Sequence, residues 1–183
     1  MSVSQRRAQL LDAAVRVIAQ DGVRGLRVDK LAAEAGVSTA LIYYHFKDRA
    51  GILRAALEHV NHRAAEYTGT TARDPREALR ELLLAELQDV DEVRENSVAW
   101  GELRASAVFC EELREPLERT TGAWNADVAE LVRAAGGEDA DAAAERLTAL
   151  VEGLCERWHS GSVSVARARE LVSGAIDREL GVE

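Results

Sequence analysis

Tyr43, Tyr44 and His45 stand side by side in the run GVSTALIYYHFKDR, with Lys47 and Arg49 just beyond them. Two phenolic hydroxyls, an imidazole and two cations so close together suit contacts with phosphate oxygens and with base edges. A few residues earlier, Ser38 and Thr39 offer hydroxyls and Ala40 a methyl group. Those are groups that read a base pair from the major groove: a hydrogen bond from Thr39, apolar contact with a thymine methyl from Ala40.

A catalytic reading is poorer. Glu102, Glu111 and Glu112 are carboxylates in a helical stretch, but no Ser/His/Asp order and no phosphate-cradling glycine loop accompanies them. His59 and His62 lie three apart and could share a metal, although such pairs are usually solvated or salt-bridged. Cys110 and Cys155 are isolated, without CxxC spacing, and read as buried thiols in a reducing cytoplasm. Neither an enzyme, a metal nor a cofactor is expected.

The charge distribution agrees with a nucleic-acid partner. The chain is 183 residues long with a net charge of −9, yet residues 1–49 carry eight basic and five acidic side chains. A positive head can meet phosphates while an acidic remainder keeps the protein in solution. No apolar run approaches the roughly 20 residues of a membrane span, and the N-terminus lacks the apolar region of a secretory signal.

These side chains need helices to position them. Only two prolines occur, hairpin signals are lacking, and apolar residues recur at helical spacing. A first helix is predicted over 4–19, ended by Asp21-Gly22, with Leu11, Ala14, Val15 and Ile18 on one face. A second starts near Arg27, buries Leu31 and Ala32, and stops at Ala35-Gly36, where glycine suits a left-handed cap. Ser38 caps a short third helix and Asp48 a fourth running to about Tyr67. On the third helix Tyr43 to Phe46 point in directions about 100° apart. Ile42 and Phe46 can share the packed side, which leaves Tyr43, Tyr44 and His45 with exposed edges. Further helices are predicted over 74–90, 91–107, 110–135, 139–160 and 164–180.

The run TALIYYHFKDRAGIL, with AGVS before it and GLRVDKLAAEAG upstream, resembles the DNA-binding domain of the tetracycline-repressor (TetR) family over residues 6–55. The resemblance implies an all-α fold: a three-helix helix-turn-helix domain over 1–49, then a larger helical effector-binding and dimerisation domain over 50–183. It implies DNA contacts from Arg27, Val28, Ser38, Thr39, Ala40, Tyr43, Tyr44, His45, Lys47 and Arg49. Two residues depart from the family pattern. Arg27 stands where a capping threonine is common, and Gly51 falls in the first turn of the fourth helix, where it is expected to loosen that turn by up to about 1 kcal/mol.

In the body, the resemblance implies a cavity for a small apolar or amphipathic effector, with Trp100, Leu103, Phe109 and Trp124 near it and Asn96 as a polar contact. It also implies a homodimer formed by the last two helices. Two apolar stripes are the candidates: Leu147, Leu150, Val151, Leu154 and Trp158 on one, Leu171, Val172, Ala175 and Ile176 on the other. The expected protein is a cytoplasmic regulator, most simply a repressor on a pseudo-palindromic operator, and bound to the nucleoid when on DNA; an activator or a ligand-independent DNA-binding protein of the same fold is the alternative, ahead of a helical enzyme.

Overall fold

The computed structural model describes residues 2–181. Among them the chain forms α1 (Val3–Gly25), α2 (Val28–Ala35), α3 (Thr39–Phe46), α4 (Arg49–Tyr67), α5 (Pro75–Leu84) and α6 (Asp91–Ala107). A 3-10 turn (Glu111–Leu113) leads to α7 (Arg114–Ala134), α8 (Ala140–His159) and α9 (Val165–Glu179), and no strand is present among these residues. The helices pack as two compact units: the chain up to Arg63 together with Glu95–Glu118, and Ala64–Arg94 together with the chain from Arg119 onward.

In the first unit α1 opens with a reciprocal cap. The Ser2 hydroxyl accepts the Gln5 N–H at 3.1 Å, and the Gln5 side chain accepts the Ser2 N–H at 2.8 Å. Leu10, Leu11, Ala14, Val15 and Ile18 are buried, together with Leu31, Ala32, Ile42, Phe46 and the apolar face of α4. The predicted break at Asp21-Gly22 is a kink rather than an end. Gly22 has φ 71° and ψ 172°, and one further turn runs to Gly25. That φ suits glycine, which has no Cβ to clash.

The turn between α2 and α3 follows from its residues. Gly36 sits at φ 66°, ψ 37°, and the Val37 N–H reaches back to the Ala32 carbonyl at 2.9 Å. This is the left-handed glycine cap, and it satisfies carbonyls that the helix end leaves open. Ser38 then caps α3, its hydroxyl accepting the Leu41 N–H at 3.4 Å. Ion pairs Arg16–Glu34 at 2.7 Å and Lys30–Asp21 at 2.5 Å tie α2 to α1.

Gly51 differs from expectation. A Cβ at this position would run into the Phe46 carbonyl oxygen, so the glycine permits a close backbone approach instead of merely loosening a turn. The Asp48 carboxylate caps α4 by accepting the Gly51 N–H at 2.7 Å.

The second unit has its own core of Leu79, Leu83, Leu87, Val128, Val132, Leu147, Val151, Leu154, Trp158, Val172 and Ile176. Arg146 on α8 grips Glu179 on α9 through two bonds of 2.7 and 2.6 Å, and Arg80 on α5 pairs with Asp177 at 2.6 Å. The predicted helix over 74–90 stops at Leu84. Arg169 on α9 accounts for the carbonyls exposed there, donating to Leu84 O at 2.9 Å and Leu87 O at 2.8 Å.

Candidate nucleic-acid interface

The short helix α3 divides as its spacing predicts. Ile42 is fully buried and Phe46 is 5 % exposed, while Tyr43 and Tyr44 are 52 % and 74 % exposed. Ser38, Thr39, Ala40 and Lys47 are exposed, and His45 is half-buried. Phe46 is held from two sides, by the core and by the Arg7 guanidinium 4.8 Å over its ring. The His45 ring meets Tyr44 edge-on at 5.2 Å. The helix therefore anchors one side and presents the other.

Beside that presented edge lies an open groove of about 690 Å³, lined by Arg24, Leu26, Arg27, Val28, Asp29, Thr39, Tyr43 and Arg49. It brings together Arg27, Val28, Thr39, Tyr43 and Arg49 of the expected contact set. Arg24, outside the expected set, joins them. Its signal was its place two residues past the Gly22 kink, where the last turn of α1 carries it to the edge of α2.

The cations here differ in freedom. Arg27 caps α2 without a side-chain bond and makes a loose pair with Asp29 at 3.4 Å, largely in solvent. Arg24 and Lys47 have no ion-pair partner among the described residues, and Lys47 adopts φ 65° in the turn before α4. Arg49 is exposed on the groove but already partly engaged. Its Nε donates to the Leu26 carbonyl at 3.1 Å and its Nη2 to the Val23 carbonyl, so the guanidinium fixes the α1–α2 corner against the start of α4.

The expected effector residues are distributed as follows. Asn96 is 1 % exposed and donates its amide to the Val60 carbonyl at 3.1 Å. Half-buried Trp100 donates its indole N–H to Asn61 Oδ1 at 2.8 Å. Leu103, at 1 % exposure, is part of the first unit's core, and Trp124 packs against the core of the second. Phe109 requires correction: it is 86 % exposed in the turn after α6 and encloses nothing.

The dimer stripes also change. Leu147, Val151, Leu154, Trp158, Val172 and Ile176 are buried within the second unit's own core, so they have no surface left for another subunit. Leu150 and Ala175 are half-buried and Leu171 is 37 % exposed. Of the expected interface residues, these three remain available. No helix among the described residues is long and apolar enough to cross a membrane. None of their His, Cys, Asp and Glu side chains form a group of three placed for a metal ion.

A helix-turn-helix with one anchored and one presented face, beside a groove lined with arginines, defines a class: helical DNA-binding regulators. The comparisons with known proteins agree. The family model of bacterial regulatory proteins of the tetR type matches residues 10–56, and that of the BetI-type transcriptional repressor C-terminal region matches residues 75–181. The HTH-type transcriptional regulator BetI of Burkholderia lata is 29% identical over 164 residues, covering 87% of this chain and 83% of that protein. A TetR-family regulator from Rhodococcus sp. is 48% identical, with TM-score 0.90 and 97% and 100% of the two chains covered. A transcriptional regulator from Saccharomonospora viridis, solved in complex with choline, is 27% identical with TM-score 0.85 over 95% and 96% of the chains. The chain belongs to the TetR family and is a DNA-binding transcriptional regulator.

Proposed function

We propose that the protein is a ligand-responsive repressor that binds a pseudo-palindromic operator as a homodimer. The observation that carries this reading is the exposed edge of α3, Thr39 to Tyr43, beside a groove lined by Arg24 and Arg27. In each subunit α3 enters a major groove. Thr39 and Ala40 meet base edges, Tyr43, Tyr44 and His45 meet bases or phosphates, and Ser38, Arg27, Val28 and Lys47 lie along the backbone. In this reading residues 1–49 read DNA and residues 50–183 bind the effector and the second subunit. Leu150, Leu171 and Ala175 supply the apolar part of a two-fold interface, in which each subunit offers the same patch.

A small organic effector, bound in the helical body, releases the operator by favouring a spacing of the two recognition helices unsuited to it. That requires tighter binding to one state than to the other. The choline complex of the related Saccharomonospora viridis regulator supports a response to small organic molecules. The protein acts in the cytoplasm, on the nucleoid when bound.

The test is a binding assay on DNA fragments from the protein's own gene neighbourhood at moderate salt. At least one fragment is retained by the wild type. Thr39→Ala combined with Tyr43→Ala abolishes retention with helicity intact. Undiminished binding by that pair of substitutions overturns the recognition-helix assignment.

A further inference from the structure

Helix α1 carries the arginines Arg6, Arg7, Arg16 and Arg24, and they are not used alike. Arg6 donates to Gln9 Oε1 at 3.3 Å, and Arg16 pairs with Glu34 at 2.7 Å. Arg24 lines the groove beside Thr39 and Tyr43. Arg7 lies elsewhere: its guanidinium stands 4.8 Å over the centre of the ring of Phe46, the last residue of α3.

Contact with a ring face engages none of the N–H donors of a guanidinium. Arg7 makes no hydrogen bond and no ion pair among the described residues. It is half-buried, yet none of its nitrogens is shut away from solvent without a partner, so its donors point outward. Phe46 itself is fixed by the core, and the charge resting on it is held in place. The Phe46 and His45 rings lie 6.1 Å apart and the His45 and Tyr44 rings 5.2 Å, so Arg7 continues the same surface as those side chains at the C-terminal end of α3. Exposed Lys47 follows directly in sequence. The arginine-lined groove reaches α3 at Thr39 and Tyr43. Phe46 is seven residues beyond Thr39, about 10 Å further along the helix axis.

We infer that Arg7 is a phosphate contact of the DNA-bound protein, gripping the duplex backbone at the end of α3 away from Arg24 and Arg27. The ring holds the guanidinium ready, and its planar set of donors matches the oxygens of a phosphate. Helix α1 then binds DNA as well as packing the domain. Because phosphates are the same at every base pair, Arg7 adds affinity and fixes the seat of α3 without reading sequence. This assignment rests on the reading of α3 as the recognition helix.

The experiment measures affinity over a series of salt concentrations, for a DNA fragment that the wild type retains and for a duplex of scrambled sequence. Arg7→Met keeps an unbranched chain over Phe46 and removes the charge. It lowers the slope of log affinity against log salt by about one for each subunit on the DNA, alike on both duplexes. Arg7→Lys keeps the charge and returns the slope to the wild-type value. Arg7→Gln, neutral and polar, gives the same loss as Arg7→Met and replaces it if that variant is unstable. A residue that merely covers Phe46 would shift melting and leave the slope alone, so a wild-type slope in both neutral variants overturns the assignment. Loss of the preference for the retained fragment in Arg7→Met overturns it too, since that would make Arg7 a reader of bases. The preference is lost instead in Thr39→Ala combined with Tyr43→Ala. If that pair of substitutions keeps the preference, the recognition-helix reading fails by itself, and a wild type that binds neither duplex overturns both.

Discussion

The Glu102 carboxylate accepts the backbone N–H of Val23 at 3.0 Å, across 79 residues of sequence, at the kink where α1 bends toward the helix-turn-helix. Arg49 holds the carbonyl of the same residue from α4. Val23 itself is 4 % exposed, so its two backbone groups are met by side chains from two different helices. Gly22 completes the arrangement, since a Cβ there would stand 2.7 Å from the Glu102 oxygen as well as occupying φ 71°.

Substitution at this kink should be felt in stability. Glu102→Ala leaves a buried N–H without its partner and costs about 1 kcal/mol, at the low end because the carboxylate is largely exposed and water can replace it in part. Gly22→Ala costs about 1–2 kcal/mol through its positive φ. Thermal melts should show drops of roughly 2–4 °C per kcal/mol for a chain of this size. Unaltered melting of both variants would mean that the kink is not held by these contacts.

Arg49 gives a sharper prediction, because the two roles open to it differ in salt dependence. A residue that contacts phosphate contributes about one unit to the slope of log affinity against log salt. Arg49 is engaged with the Val23 and Leu26 carbonyls, so Arg49→Lys lowers the melting temperature and DNA affinity but leaves the slope unchanged. Arg24→Ala reduces the slope by about one and leaves melting unaffected. A slope change for Arg49→Lys matching that of Arg24→Ala would restore the phosphate role.

Much of this was legible in the sequence, and the rest was hidden for physical reasons. Local signals carried the helix-turn-helix: Gly36 and Ser38 act on neighbours within four residues, and Ile42 and Phe46 share a face by spacing alone. The partners of Glu102 and Arg169 lie roughly eighty residues away, and nothing in spacing announces them. Gly51 looks like a weakness in sequence because the atom a Cβ would meet, the Phe46 carbonyl oxygen, is defined only once the backbone is placed. The apolar stripe Leu147, Val151, Leu154 and Trp158 faces the unit's own core, but an amphipathic face looks the same in sequence whichever surface it meets.

That last ambiguity separates two sets of substitutions on α8 and α9. Leu147→Ala opens a cavity in the second unit's core and costs about 2–5 kcal/mol. Leu150→Arg and Leu171→Glu place charge at a half-buried and an exposed position and cost less within the subunit than Leu147→Ala does. Light scattering should show that these two variants lose the dimer while melting stays close to wild type at matched concentration of monomer. Dimers that persist in both would move the interface off this face.

The pH dependence of stability offers a test of the second unit's interior. Burial pushes the Glu86 carboxyl up from 4.5 to about 7, and Glu152 nearby adds to the rise. The Tyr67 hydroxyl, 3.2 Å from Glu86 Oε2, works against it. Burial likewise holds the His159 imidazole down from 6.5 to about 4, with the Arg94 charge acting in the same sense. The signs are opposite. Between pH 4.5 and 7 the folded chain keeps a proton on Glu86 that the unfolded chain has lost, so stability falls as pH rises. Between about pH 4 and 6.5 the unfolded chain binds a proton at His159 that the folded chain does not, so stability rises with pH. The Glu86 effect amounts to about 3 kcal/mol at most across its window, and the His159 effect to less, because that ring is only partly buried and solvent screens it. From pH 4.5 to 6.5 the two effects therefore oppose each other, and the wild-type melting temperature should change less with pH than that of either variant. Glu86→Gln exposes the rising limb due to His159, and His159→Gln exposes the falling limb due to Glu86. Parallel pH profiles for the wild type and both variants would show that neither group titrates with a shifted pKa.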